Sequence, residues 1–290
     1  MTTVTVSAEP DFVAAPASDY SIANLVEIYN QTRVDYIVPM PMNEVRMQEY
    51  IDTYDIDLDA SVVVFEPDMT VLAVSMLGFR DDRAWITRLG VLPNRRRGGT
   101  GQFIMDHHLR MAARYGASRV QLEVIKNNTP AHRLFLKNDF RETRELLIVR
   151  RASGAPDADM VGINSHAEAI DEKEIIRLLE YRAEDPAWTE DTHSILNINN
   201  LTGLRVETPS GAAGSIIFQQ NPFQLSHFVF SYEAYHDPEL ALSLLYHVHV
   251  QNPTADTKVE NVPLNSVLWP IYQQAGYVES FRRIEMMRPL

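Results

Sequence analysis

The chain has 290 residues, is 45% hydrophobic and contains no cysteine, which excludes disulfides, thiolate metal sites and a cysteine nucleophile. Its 39 acidic and 26 basic side chains give a formal charge of −13, unsuited to nucleic acid or an anionic membrane and favourable for an amine. No run reaches the roughly 18 apolar residues of a membrane span, and Met1 to Ser18 lacks a basic and apolar leader pattern, so a cytoplasmic protein of two domains is expected.

Met1 to Ser18 reads as a short strand or a loose lead-in. Asp19 or Ser21 then caps a helix with Ile22, Leu25, Val26 and Tyr29 on its apolar side. A second helix spans Asn43 to Tyr54, with Val45, Tyr50 and Ile51 inward. Strands follow at Ser61–Phe65, Val71–Phe79 and Ala84–Val91, then a loop from Pro93 to Gly101. Gln102–Tyr115 is an amphipathic helix closed by Gly116. Ser118–Ile125 is a strand, Thr129–Asn138 a helix and Glu142–Arg151 a strand. The order describes a mixed α/β domain.

Ala152–Asp159, rich in Ala, Gly, Pro and Asp, reads as a linker, dividing the chain into domains 1–152 and 153–290. The order then restarts. A helix is expected at Ala169–Tyr181, with Ile175, Ile176, Leu178 and Leu179 on its apolar side. Strands follow at Leu204–Glu207, Ser215–Gln219 and Leu225–Phe230, then a helix at Glu239–Val250, a strand at Lys258–Val262, a helix at Ser266–Gln274 and a strand at Glu279–Arg288. Glu123 and Glu260, Asn128 and Asn265, Phe135 and Tyr272, Phe140 and Tyr277, Glu142 and Glu279, and Arg151 and Arg288 are each 137 positions apart. Matched residue types at one offset, in a matched order of elements, indicate a duplicated domain.

The chemistry concentrates in the loop Arg95-Arg96-Arg97-Gly98-Gly99-Thr100-Gly101. Glycines at 98, 99 and 101 let successive N–H groups converge, and the following helix adds the positive end of its dipole. The arginines supply cations, so the loop is a cradle for a diphosphate. No Lys-Ser/Thr follows the glycines, so it is not a Walker A loop. The competing reading is an exposed turn with solvated arginines.

The pattern Val91-x-Pro93-x-x-Arg96-x-x-Gly99-x-Gly101 resembles motif A of the GNAT superfamily of N-acetyltransferases, and Asn128-x-x-Ala131-x-x-Leu134-Phe135-x-Lys137-x-x-Phe140 resembles that family's next helix. The resemblance covers roughly residues 15–151, and the second half is similar to a degenerate copy, as in tandem proteins of the mycothiol synthase type. It implies a splayed mixed sheet with coenzyme A between the strand ending at Val91 and the next parallel strand. Leu89 and Val91 would meet the pantetheine arm and acetyl carbonyl, and Arg96, Arg97, Gly98, Gly99, Thr100 and Gly101 the pyrophosphate. Asn128 would hold the pantetheine, and Phe135 would share its helix face. Asn128 also suits an N-cap.

The family often carries Tyr where this chain has Phe135, which has no proton for the leaving thiolate. Glu123, on the strand beside the implied acetyl site, is the candidate base; the alternative is a strand-end charge reaching solvent. Arg33, Asp35, Tyr36 and Tyr50 fall where the family builds its acceptor pocket. By the offset, Gly101 falls on Pro238 and Arg96 on Glu233, so the second domain should not bind coenzyme A. The histidines make no metal site, and no metal is expected. The leading function is acetyl transfer from acetyl-CoA to an amine of a small molecule or peptide, in a monomer acting as a pseudo-dimer or in a homodimer. An acyl-CoA sensor without activity and an interaction protein are the alternatives.

Overall fold

A computed structural model describes residues 12–157 and 164–290; residues 1–11 of the lead-in and the end of the expected linker lie outside them. The chain forms two compact units, Met1–Glu142 with Met286–Leu290, and Thr143–Glu285. No described helix is long and apolar enough to cross a membrane.

The first unit runs β1 (Val13–Pro16), α1 (Ile22–Thr32), α2 (Glu44–Thr53), β2 (Ile56–Phe65), β3 (Val71–Arg80), β4 (Arg83–Val91), α3 (Thr100–Arg114), β5 (Arg119–Ile125) and α4 (Thr129–Lys137). Its sheet is antiparallel from β1 to β4, and β4 pairs parallel with β5, as a helical crossover through α3 allows. Hydrophobic residues at both parities of β2 are buried, because the strand is covered on both faces. Val62, Val64, Leu72, Ala73 and Ile104 form one core, with Phe103, Leu89 and Val91 packed against it. In α2, Tyr50 and Ile51 face inward as expected, but Val45 is exposed and Met47 takes the core position. The helix begins at Glu44, capped by Asn43, and that start sets its buried face.

β6 (Arg141–Arg151), which ends the first half by sequence, pairs antiparallel with β11 (Asp256–Pro263), so most of it lies in the second unit. That unit continues with β7 (His166–Ala169), α5 (Glu172–Glu180), α6 (Thr192–Leu196), β8 (Leu201–Glu207), β9 (Ala213–Gln220), β10 (Gln224–Phe230), α7 (Pro238–Gln251), β11, α8 (Leu268–Gln274) and β12 (Val278–Pro289). Its strand order is β12-β6-β11-β10-β9-β8-β7, with β10 and β11 parallel. The expected helix start at Ala169 is instead the end of β7, paired to β8, and Asp171 caps α5. Ile176 is exposed rather than on the apolar side. The end of β12, Met286–Leu290, belongs to the first unit, where Leu290 N donates to Ser118 O at 3.0 Å.

Candidate functional site

β4 and β5 are paired only at Arg83–Trp85 against Arg119–Gln121 in their described register, then part. Between Thr87 and Gly90 the register of β4 against β3 shifts, and Arg88 takes a left-handed φ of 53°. This bulge re-aims the end of β4. Gly90 is required beside it: a Cβ there would overlap the Thr32 hydroxyl. Leu89 and Val91 pack their side chains on the core that includes Ile104 of α3, and their carbonyls accept from Arg33 Nη2 and Arg96 Nε.

The loop from Pro93 ends at Gly99, which caps α3 in a left-handed conformation, φ 94°, and offers no side-chain acceptor. The opening N–H groups of α3 therefore lack the capping oxygen that most helices receive. Arg97, Gly98 and Gly99 are exposed, Thr100 is buried as the first helical residue, and Gly101 lies against Leu134 of α4. A helix start with free donors, no carboxylate in its first turn and an exposed glycine approach fits a diphosphate.

Arg96 is committed elsewhere. Its guanidinium holds both Asp35 oxygens at 2.7 Å, its Nε donates to Val91 O at 3.1 Å, and Nη2 reaches Thr32 O at 3.3 Å. It braces the end of α1 to the end of β4, and keeps the Asp35 carboxyl below its usual pKa. Of the sequence candidates, Arg96 and Asp35 thus stand as partners of each other. Asn128 caps α4, accepting from Ala131 N, while its amide donates to the Tyr36 hydroxyl at 3.5 Å. Phe135 is buried against Phe140.

Glu123 is half-buried on β5, and its Oε2 accepts from Trp85 Nε1 at 2.7 Å. Trp85 is ringed by Tyr50 and Tyr54. The Tyr50 hydroxyl bonds Thr87 Oγ1 at 2.6 Å, and burial pushes its pKa up. The Arg88 guanidinium lies 4.1 Å over the Tyr50 ring and donates to the Tyr29 hydroxyl. Tyr50 is therefore a wall of the site. Trp85, Arg88 and Thr87 were not singled out from sequence, since a charged residue inside a strand carries no motif; the bulge that aims Arg88 exists only against β3.

Residues 25–140 match the model of the acetyltransferase (GNAT) family. A GCN5-related N-acetyltransferase from Sphaerobacter thermophilus superposes with a TM-score of 0.69 at 18% identity, covering 96% of this chain and 95% of that one. A tandem GNAT protein from the clavulanic acid biosynthesis pathway gives 0.63 at 15% identity, over 97% and 98% of the two chains. The fold is a tandem GNAT fold. A putative acetyltransferase from Pyrococcus horikoshii follows at 0.61 and 12%, over 100% and 92%. No curated protein sequence matches the chain.

Within this GNAT fold the second unit repeats the local geometry. β10 and β11 pair only at Gln224–Leu225 with Asp256–Thr257, and His227, on a register shift of β10, has φ 55°. A cavity of about 50 Å³ lies in this unit, lined by Phe228, Phe230, Tyr235, Glu260 and Tyr272 among others. Glu260 is salt-bridged to Lys258 and Arg283, which hold it ionised against burial. The start of α7 differs from that of α3. The Asp237 carboxylate accepts from the N–H groups of Glu239 and Leu240, so this helix start already holds an anion.

Proposed function

We propose that the protein is an acetyl-CoA-dependent N-acetyltransferase whose first unit transfers acetyl directly to an amine of a small molecule or peptide. The observation that carries this is the uncapped start of α3 beside the parting of β4 and β5. Arg97, Gly98, Gly99, Thr100 and Gly101 hold the diphosphate; the main chain of Leu89 and Val91, with Asn128, holds the pantetheine arm. Arg96 supports the cradle as a brace. In the second unit, Asp237 fills the equivalent anion position, which supports a second domain that does not bind coenzyme A.

Acetyl-CoA supplies an activated thioester as substrate. The amine nitrogen forms a C–N bond to its carbonyl carbon, the C–S bond breaks, and the electron pair leaves on sulfur. An amine with a pKa of about 10.4 is mostly protonated near neutrality, so a base is needed. Glu123 takes that proton, directly or through water, and its bond from Trp85 fixes the carboxylate. With Phe135 in place of a phenol, the Tyr36 hydroxyl at Asn128 returns a proton to the thiolate. A non-catalytic acyl-CoA sensor is the second reading, favoured by the absence of a hydroxyl at Phe135.

Calorimetric titration of acetyl-CoA into wild type and Gly98→Glu tests the cradle. A Cβ at Gly98 meets only Arg95 O, at 3.7 Å, so the variant should fold while setting a carboxylate at the phosphate position. One site per chain, lost in the variant, is expected. No binding by the wild type would leave the interaction-protein reading in front. Binding without acetyl transfer to any of a panel of amines would favour the sensor.

A further inference from the structure

Arg33 closes α1 as its C-terminal cap and is half-buried. Its Nη2 donates to Leu89 O at 2.9 Å, at the end of β4 that borders the gap. Its guanidinium carbon lies 4.1 Å from the centre of the Tyr36 ring and 5.4 Å from that of Tyr29. Its Nε is buried and has no hydrogen-bond partner. Three other arginines of this unit are paired with carboxylates: Arg80 with Asp55, Arg95 with Glu66 and Arg96 with Asp35. Among the described residues Arg33 has none.

A half-buried guanidinium with no counter-charge, stacked on a phenol and tied to a main-chain carbonyl, is an oriented cation. A buried donor without a partner calls for an explanation, and an arginine fork is matched by a carboxylate. We propose that Arg33 binds the carboxylate of the acceptor, so the preferred acceptor is a small amino-carboxylate such as an α-amino acid. This rests on the N-acetyltransferase reading. Leu89 O and the Tyr36 face hold the guanidinium plane beside the reacting strand, so a carboxylate seated on it brings its own amine to the gap that Glu123 borders. The other anion available is a phosphate of the donor, and the test separates the two.

The experiment compares initial rates with acetyl-CoA for α-amino acids and their carboxamides, in wild type, Arg33→Gln and Arg33→Lys, each checked for folding by thermal melting. A charged hydrogen-bond pair corresponds to about a 10- to 100-fold preference. The wild type should favour the acid over the amide in kcat/KM by that factor. Arg33→Gln should collapse the ratio through the KM of the acid, without raising the KM for acetyl-CoA, and Arg33→Lys should restore part of it. A wild type using amide and acid equally overturns the proposal, and so does an Arg33→Gln variant that weakens acetyl-CoA while keeping the ratio. Should Arg33→Gln not fold, the wild-type ratio and Arg33→Lys decide.

If no amine is acetylated, binding of N-acetylamino acids and their amides to the coenzyme A-saturated protein is measured by calorimetry. Binding of the acids alone, lost with Arg33→Gln, sustains carboxylate recognition while the transfer reading falls. Equal binding of both, or of neither, overturns it.

Discussion

The proposed role of Tyr36 as proton donor turns on a single hydroxyl. Phe135 is buried against Phe140 and has no proton to give, while the Tyr36 hydroxyl receives the Asn128 amide. A positioned acid contributes about 10²–10⁴-fold. Tyr36→Phe should therefore lower kcat by about 100-fold with little change in acetyl-CoA affinity, as measured by steady-state rates and calorimetry; an unchanged kcat would remove Tyr36 from the role. His108 makes a different residue-scale argument. It is buried in α3, bonded to Ser75 Oγ at 2.8 Å, and burial pushes its pKa down to about 3. Between that value and the unfolded value of about 6.5, the unfolded chain binds a proton that the folded chain does not. The stability it protects is complete above pH 6.5 and declines as pH falls toward 3, by up to about 1.4 kcal/mol per pH unit. His108→Gln should flatten the fall in urea midpoint between pH 7 and 5. An identical pH slope in the variant would refute the assignment.

The helices most legible from sequence are those whose caps and apolar faces are local. Ser21 caps α1, Asn43 caps α2 and Gly116 closes α3 with φ 80°, each near its expected place. β1 lies within the stretch read as a short strand or a loose lead-in, whereas β7 and α6, at four and five residues, are too short to show a period. The contrast between the two helix starts also belongs to this scale. α3 starts with a bare glycine and α7 with an aspartate that bonds its first N–H groups. Hence the titration should find one acetyl-CoA per chain, and Gly98→Glu should remove that one. A second site surviving in the variant would place coenzyme A in the second unit.

At the scale of the whole molecule, the two compact units do not follow the linear halves. Met286–Leu290 completes the first unit, and most of β6 lies in the second, where it pairs with β11. A chain ending at Arg151 would lack the strand at Ser118 and leave the Leu146–Val149 edge without β11. Exposed apolar edges of this kind associate. The truncated chain should aggregate, or bind a hydrophobic dye, in size-exclusion and fluorescence measurements. A monomeric, cooperatively melting product would show that the first half folds alone.

The repeated order of elements, the glycine loop opening α3 and the acidic stretch at the matching place in the second half are all written in neighbouring residues. These depend on local backbone freedom, capping and periodicity, which neighbouring residues encode. The pairing of Arg96 with Asp35, the bond from Trp85 to Glu123 and the seat of Arg33 on Leu89 O arise from the folded chain alone. Those partners are 38 to 61 positions apart. Side chains that far apart meet only when strand register, the bulge at Arg88 and the end of α1 are all set together, and no local pattern carries that information.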